Sequence, residues 1–187
     1  MNKIFLLLFF SFTILTNAQD ATSQEMRIIN QDSVNAIVIH TVERTMNPFL
    51  ESIPEGNLVN YGINDRNEIS KITIGRPIGV YNIVDTNLFF TSSWRVPIII
   101  NNEYRSLFTV ILNDIGECQI VDFGATLLAH EIFNARKYYN IKGLLRVYKL
   151  HLDFFISDNN LGELEFQPIP NSDNQRYNFV DVLKMIK

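Results

Sequence analysis

The sequence predicts an α+β domain. Its antiparallel sheet is a meander plus a long C-terminal strand, with helices packed on one face. Three observations carry the prediction. Apolar and polar residues alternate over several segments between 78 and 168, the period of half-buried strands. Apolar residues recur at helical spacing at both ends of the domain and once in its middle. Asn101-Asn102 and Asp114-Ile115-Gly116 separate successive strands by turns too short for a parallel crossover.

The elements follow in order. Asp32 or Ser33 caps a first helix, with Val34, Ile37, Val38, Val42 and Met46 on one side, and Asn47-Pro48 ends it. Dense β-branching from Ala36 to Val42 is the competing strand pattern. Residues 49–63, with Pro54-Glu55-Gly56, form a connecting loop. Asp65 and Glu68 make a capping box for a short helix over 66–72, which Gly75 ends. Arg76-Pro77 then forces an extended exit. Strands are expected at 78–84, 88–91 and 94–100, the last with Trp94, Val96, Ile98 and Ile100 on one face. Pro97 lacks an amide hydrogen, so its strand should lie at an edge or carry a bulge. Strands at 104–113 and 117–123 complete the meander. The period then changes, and Leu128, Ile132, Ala135 and Tyr139, with Leu127 beside them, mark a helix over 124–139. Residues 144–157 alternate as one long strand, and a turn, a strand at 163–168 and a helix over 175–187 follow. This plan is similar to that of cystatin-like and NTF2-like folds, a likeness of architecture that implies no activity.

Composition narrows the class. The chain has 187 residues, 47% of them apolar, enough for one domain with a core and unlike a disordered chain. Cys118 is the one cysteine, so no disulfide forms within the chain. A net charge of −4 argues against a nucleic-acid partner. Lys3, the apolar run from Ile4 to Leu15 and the small residue Ala18 have the layout of a secretory signal peptide. The run is too short to span a bilayer, which needs about 20 residues. Cleavage is expected after Ala18, leaving a flexible mature N-terminus over 19–31 and a single domain over 32–187. No cysteine near Ala18 could carry a lipid anchor. Cleavage moves the net charge from −4 to −5, and no integral membrane segment is expected afterwards. Heavy Asn and Ile usage fits AT-rich coding and an exported bacterial protein, secreted or periplasmic.

Candidate chemistry is sparse. His130-Glu131 begins a zinc-protease helix motif, but its fifth position is Asn134, so the second imidazole is missing. Cys118 has the residue types of a nucleophile with His130 or His151 as base and Asp122 or Asp153 as orienter. No local signature joins them, and a structural thiol is the simpler explanation. On a continuous strand Lys149, His151 and Asp153 would share a face at intervals of about 7 Å. That row suits a polar groove or a metal ion, and equally a wet sheet face. Gly75 to Gly79 lacks the Lys-Ser/Thr of a phosphate loop. Trp94-Arg95 and Tyr104-Arg105 are hot-spot residue types, and the Asn101-Asn102 turn would oppose the two arginines. Their repulsion would call for an acidic partner; the alternative is a core Trp94 with locally paired arginines.

With no catalytic constellation, no metal site and no cofactor implied, the leading expectation is an exported, non-enzymatic binding or inhibitor-like protein. It would take an extracytoplasmic protein or peptide by strand addition at the Pro97 edge. The alternatives are a small secreted hydrolase or ligand-processing enzyme with a pocket between sheet and helices, and a component of a cell-envelope assembly.

Overall fold

The described residues contain three α-helices, Gln31–Ser52 (α1), Thr126–Ala135 (α2) and Phe179–Ile186 (α3). The strands are Thr73–Ile74 (β1), Ile78–Val84 (β2), Asn87–Ile100 (β3), Glu103–Leu112 (β4), Cys118–Gly124 (β5), Gly143–Val147 (β6), Leu152–Asp158 (β7) and Leu164–Ile169 (β8). The structure, a computed structural model, describes residues 31–170 and 175–186. The expected signal peptide, its cleavage point and all of the expected flexible segment 19–31 except Gln31, which opens α1, lie outside them.

The strands form one open sheet in the order β5-β4-β3-β2-β6-β7-β8, with β1 also paired to β3. Every pair is antiparallel except β2 with β6, which run parallel over three residue pairs. The α+β class therefore holds. The turns of the meander are as the sequence predicts. Asn101 and Asn102 both have positive φ, at 52° and 65°, the geometry asparagine tolerates in a tight hairpin. The side-chain oxygen of Asn113 accepts from the amides of Ile115 and Glu117 and fixes the next turn.

Alternation along the strands separates two cores. Trp94, Val96 and Ile98 of β3, with Phe108 and Val110 of β4, pack beneath Val38, Val42, Met46 and Leu50 of α1. Tyr81, Leu145, Phe154 and Phe166 continue that face beneath Val182 of α3. Leu107 is the neighbour of Phe108 and points the opposite way, to Ala129 and Ile132 of α2. The helices expected on one face are thus α1 and α3, whereas α2 covers the other. Its position follows from connectivity. The helix carries the chain from the edge strand β5 to β6, on the far side of β2, and α1 already occupies the first face. Leu127 stays outside this core, 84% exposed.

Four expectations are corrected. Helix α1 runs through Pro48 to Ser52, because the turn beyond the proline buries Leu50 completely and seats Phe49 on Phe108. That burial outweighs the hydrogen bond that proline deletes. The two strands expected at 88–91 and 94–100 are one, bent at Ser92, whose φ is 54°. Pro97 lies inside the sheet. Its nitrogen and carbonyl face the break between β1 and β2, where the Gly75 amide donates to the Pro97 carbonyl at 2.7 Å. No ladder bond to β4 is lost, and a Cβ on Gly75 would stand 2.9 Å from that of Pro97, so only glycine fits opposite the ring. The pairing of β3 with β4 shifts register at Ile98/Ile99, so the bulge is present although the edge is not. Finally, the long strand at 144–157 is a hairpin of β6 and β7. A 3-10 turn at Tyr148–Leu150 and a left-handed His151 (φ 52°) reverse it.

The short helix over 66–72 is a 3-10 turn, Arg66–Lys71. Asp65 caps it by accepting from the Asn67 amide, while the Glu68 carboxylate reaches back to the amide of Asn64.

Candidate functional site

The two ends of the sheet differ. At β8, Phe166 and Tyr177 exchange backbone hydrogen bonds of 2.8 and 2.9 Å, so the returning chain pairs with that edge at one residue. At β5 no strand among the described residues pairs with the outer edge. A groove of about 740 Å³ runs beside it, between α1 and the first sheet face. Its apolar wall is Phe49, Tyr61, Ile120 and Phe123. The ring of Phe49 meets that of Phe123 edge-on at 5.7 Å, and Tyr61 stacks on Phe123 at 5.2 Å. Thr41 and Thr45 form the helical wall, and each hydroxyl donates to the carbonyl four residues earlier. Arg44 and Glu117 put both charge signs on the rim.

Strand β5 is irregular where it borders the groove. Its pairing with β4 shifts between Thr109 and Val110, which leaves Val121 as the extra residue, 52% exposed. The Asp122 carboxylate accepts from the Phe123 amide at 2.9 Å, and one of its oxygens lies 3.7 Å from Arg95.

Cys118 opens β5 and faces α1 within the first core. Burial pushes its thiol pKa up, and the neighbouring Thr41 hydroxyl pulls it down by less. His130 stands on α2, over the opposite face, beside Asn134. The sheet therefore separates the thiol from that imidazole. His151 sits in the β6–β7 turn and Asp153 pairs with Arg146, so no nucleophile–base–orienter set forms from these residues. Among the described residues no three His, Cys, Asp or Glu side chains are placed to hold a metal ion. Alkylation of Cys118 should accelerate only at a pH above that of an unperturbed thiol, and Thr41→Val should move the profile higher still. A pH series of iodoacetamide rates followed by intact mass checks both. The sign for stability is fixed by the same shift. The folded thiol keeps its proton where the unfolded one has lost it, so this contribution is full below the unfolded pKa and is lost as pH rises through the folded one.

The predicted arginine patch is dispersed. Trp94 is core, 2% exposed, with its ring 5.0 Å from that of Phe90. Arg95 points to the other face, where it donates to the Thr109 hydroxyl and neighbours Asp122. Burial, and then the nearby charge of Arg146, lowers its pKa. Arg95 is opposite Thr109 in register, so it does not oppose Arg105. Arg105 lies 3.8 Å from Glu103, and Tyr104 accepts a hydrogen bond from Arg136 of the chain after α2. The row Lys149, His151 and Asp153 is broken by the hairpin. Lys149 donates to the Ile186 carbonyl at 2.7 Å, and Asp153 receives two bonds of 2.9 Å from Arg146. The Arg146 pKa is raised, chiefly by those bonds.

Phe49, Tyr61 and Ile120 carry the groove, and none was a candidate from sequence. A signal for Phe49 was present, since an aromatic residue just beyond a proline needs a packing reason if the helix continues. Comparison with protein-family models, with curated proteins and with solved structures finds no match in any of the three.

Proposed function

We propose that the chain is an exported, non-enzymatic binding module that takes an extended peptide segment onto the free edge of β5. The observation that carries this reading is the asymmetry of the sheet. One edge is engaged at Phe166 by the chain's own return, and the other, β5, has no pairing partner among the described residues and lies beside a partly apolar groove. An incoming strand would complete the backbone ladder, and every second side chain would enter the groove against Phe49, Tyr61 and Ile120. The preferred segment has apolar residues at alternate positions. It needs no strong net charge, because the rim holds Arg44 as well as Glu117. Export rests on the signal-peptide layout of residues 1–18, and it places the partner outside the cytoplasm. The site has moved from the Pro97 strand to β5, while strand addition is retained.

The test is selection of a random displayed peptide library on the mature chain, followed by hydrogen exchange of the complex. Enriched peptides with alternating apolar residues should slow exchange in β5. Val121→Lys, a charged residue on the edge of the kind that blocks strand addition, should weaken binding about tenfold or more, at least 1.4 kcal/mol. Failure to enrich any peptide, or protection confined to other elements, rejects the reading.

A further inference from the structure

We infer that a second site, beyond the C-terminal end of α2, binds a neutral saccharide. It is a pocket of about 450 Å³ bounded by the turn after α2, the β7–β8 turn, Glu165 and Arg176, and it shares no residue with the β5 groove. The size suits a small polar ligand.

Three features set the ligand class. First, the charges are internally balanced. Asp158 is paired with Lys142, and Glu165 with Arg176 at 3.1 Å. Among the described residues that line the pocket, no formal charge is left to select an anion or a cation. Second, the pocket offers uncommitted neutral hydrogen-bonding groups. The amides of Asn140 and Asn160 and the hydroxyls of Tyr138 and Tyr139 make no side-chain hydrogen bond among the described residues. Each amide both donates and accepts, as each hydroxyl does. Asn159 contrasts with them, because its side chain is consumed in holding the Leu161 and Glu163 amides. Third, Tyr138 is 80% exposed. Its ring lies 6.3 Å from that of Tyr139, which in turn carries Arg176 at 5.2 Å from its centroid. Arg176 thus occupies the Tyr139 ring, and the Tyr138 ring is the free platform.

A flat aromatic surface beside planar amides matches the two-sided chemistry of a sugar ring. The C–H face of a pyranose packs on the aromatic ring, and its hydroxyls, donors and acceptors at once, take the amides and phenols. A peptide strand would leave the tyrosine platform unused. An anion would have to compete with Glu165 for Arg176.

The experiment uses the mature chain on an array of immobilised neutral oligosaccharides: glucans, galactans, mannans and chitooligosaccharides. A bound glycan is then titrated in solution. At least one neutral glycan should bind. Tyr138→Ala should weaken it about tenfold or more, Tyr138→Phe should keep most of the affinity, and Asn160→Ala should weaken it measurably. Tyr138 is exposed, so its replacement leaves the core intact, and unchanged circular dichroism confirms this. Affinity should not change with sodium chloride concentration, because no charge is exchanged. The Val121→Lys chain should bind the glycan normally, which separates this site from the peptide edge. The inference is overturned if no neutral glycan binds, if binding survives Tyr138→Ala, or if affinity falls steeply with salt.

Discussion

Trp94→Ala is expected to destabilise the domain by about 4 kcal/mol, the usual cost of removing a large aromatic side chain from a core. Trp94 is among the largest fully buried side chains and stands between the β3–β4 ladder and α1, edge-on to Phe90. Phe90 also touches the cluster under α3, so the cavity would lie where the two parts of that core meet. For a domain whose total stability is on the order of 5–15 kcal/mol, this is a large fraction. Urea unfolding followed by far-ultraviolet circular dichroism measures it; tryptophan fluorescence cannot, because Trp94 is the chain's one tryptophan. In the unaltered protein that same residue should emit at short wavelength and shift red on unfolding. A loss below about 1 kcal/mol would remove Trp94 from the core.

Gly62→Ala is expected to cost about 3 kcal/mol. Gly62 ends the 3-10 turn at Glu55–Tyr61 with φ at 76°, a conformation that costs a residue with a Cβ about 1–2 kcal/mol. The added carbon would also lie 2.3 Å from the carbonyl oxygen of Arg105. That oxygen belongs to the backbone of β4, at the residue between the Ser106 and Tyr104 pairs with β3, so it cannot step aside as a side-chain tip would. Overpacking of this kind adds about 1–3 kcal/mol. Gly116 provides the control. Its φ is 81°, but nothing lies within 4 Å of the position of an added Cβ. Gly116→Ala should therefore show the conformational cost alone, about 1 kcal/mol. Equal losses in the two variants would show that the approach to β4 is not tight. Both are measured by the same urea titration.

What could be read from the sequence is what local chemistry decides. The meander was legible because its turns carry their own signals: Asn101-Asn102 adopt positive φ, and Asn113 and Gly116 close the next turn. The buried row Trp94, Val96, Ile98 and Ile100 was legible from its period of two. The β6–β7 reversal was not, because Tyr148-Lys149-Leu150 holds no Gly, Pro or Asn. The left-handed residue is His151, and apolar alternation continues through the turn as though the strand did. Had the turn been recognised, Arg146 and Asp153 would have emerged as a cross-strand pair. The placement of α2 was equally hidden, since amphipathic spacing gives a helix its apolar side but not which face of the sheet receives it. Pro97 misled for a related reason. A proline in a strand requires a missing partner, and here a break between two short strands supplies it in the middle of the sheet. The candidate groove depends on which strands are outermost, a property of topology that no single segment encodes.

The unequal edges also limit how copies of this chain associate. A free β5 in one copy can pair antiparallel with β5 in another, related by a two-fold axis, each edge satisfying the other. At the opposite border Tyr177 already takes the backbone groups of Phe166. A dimer of this kind uses the β5 edge of both copies, so β5-to-β5 growth ends there. Self-pairing and ligand capture would then exclude one another, and the concentration of protein would set how much of the edge remains open.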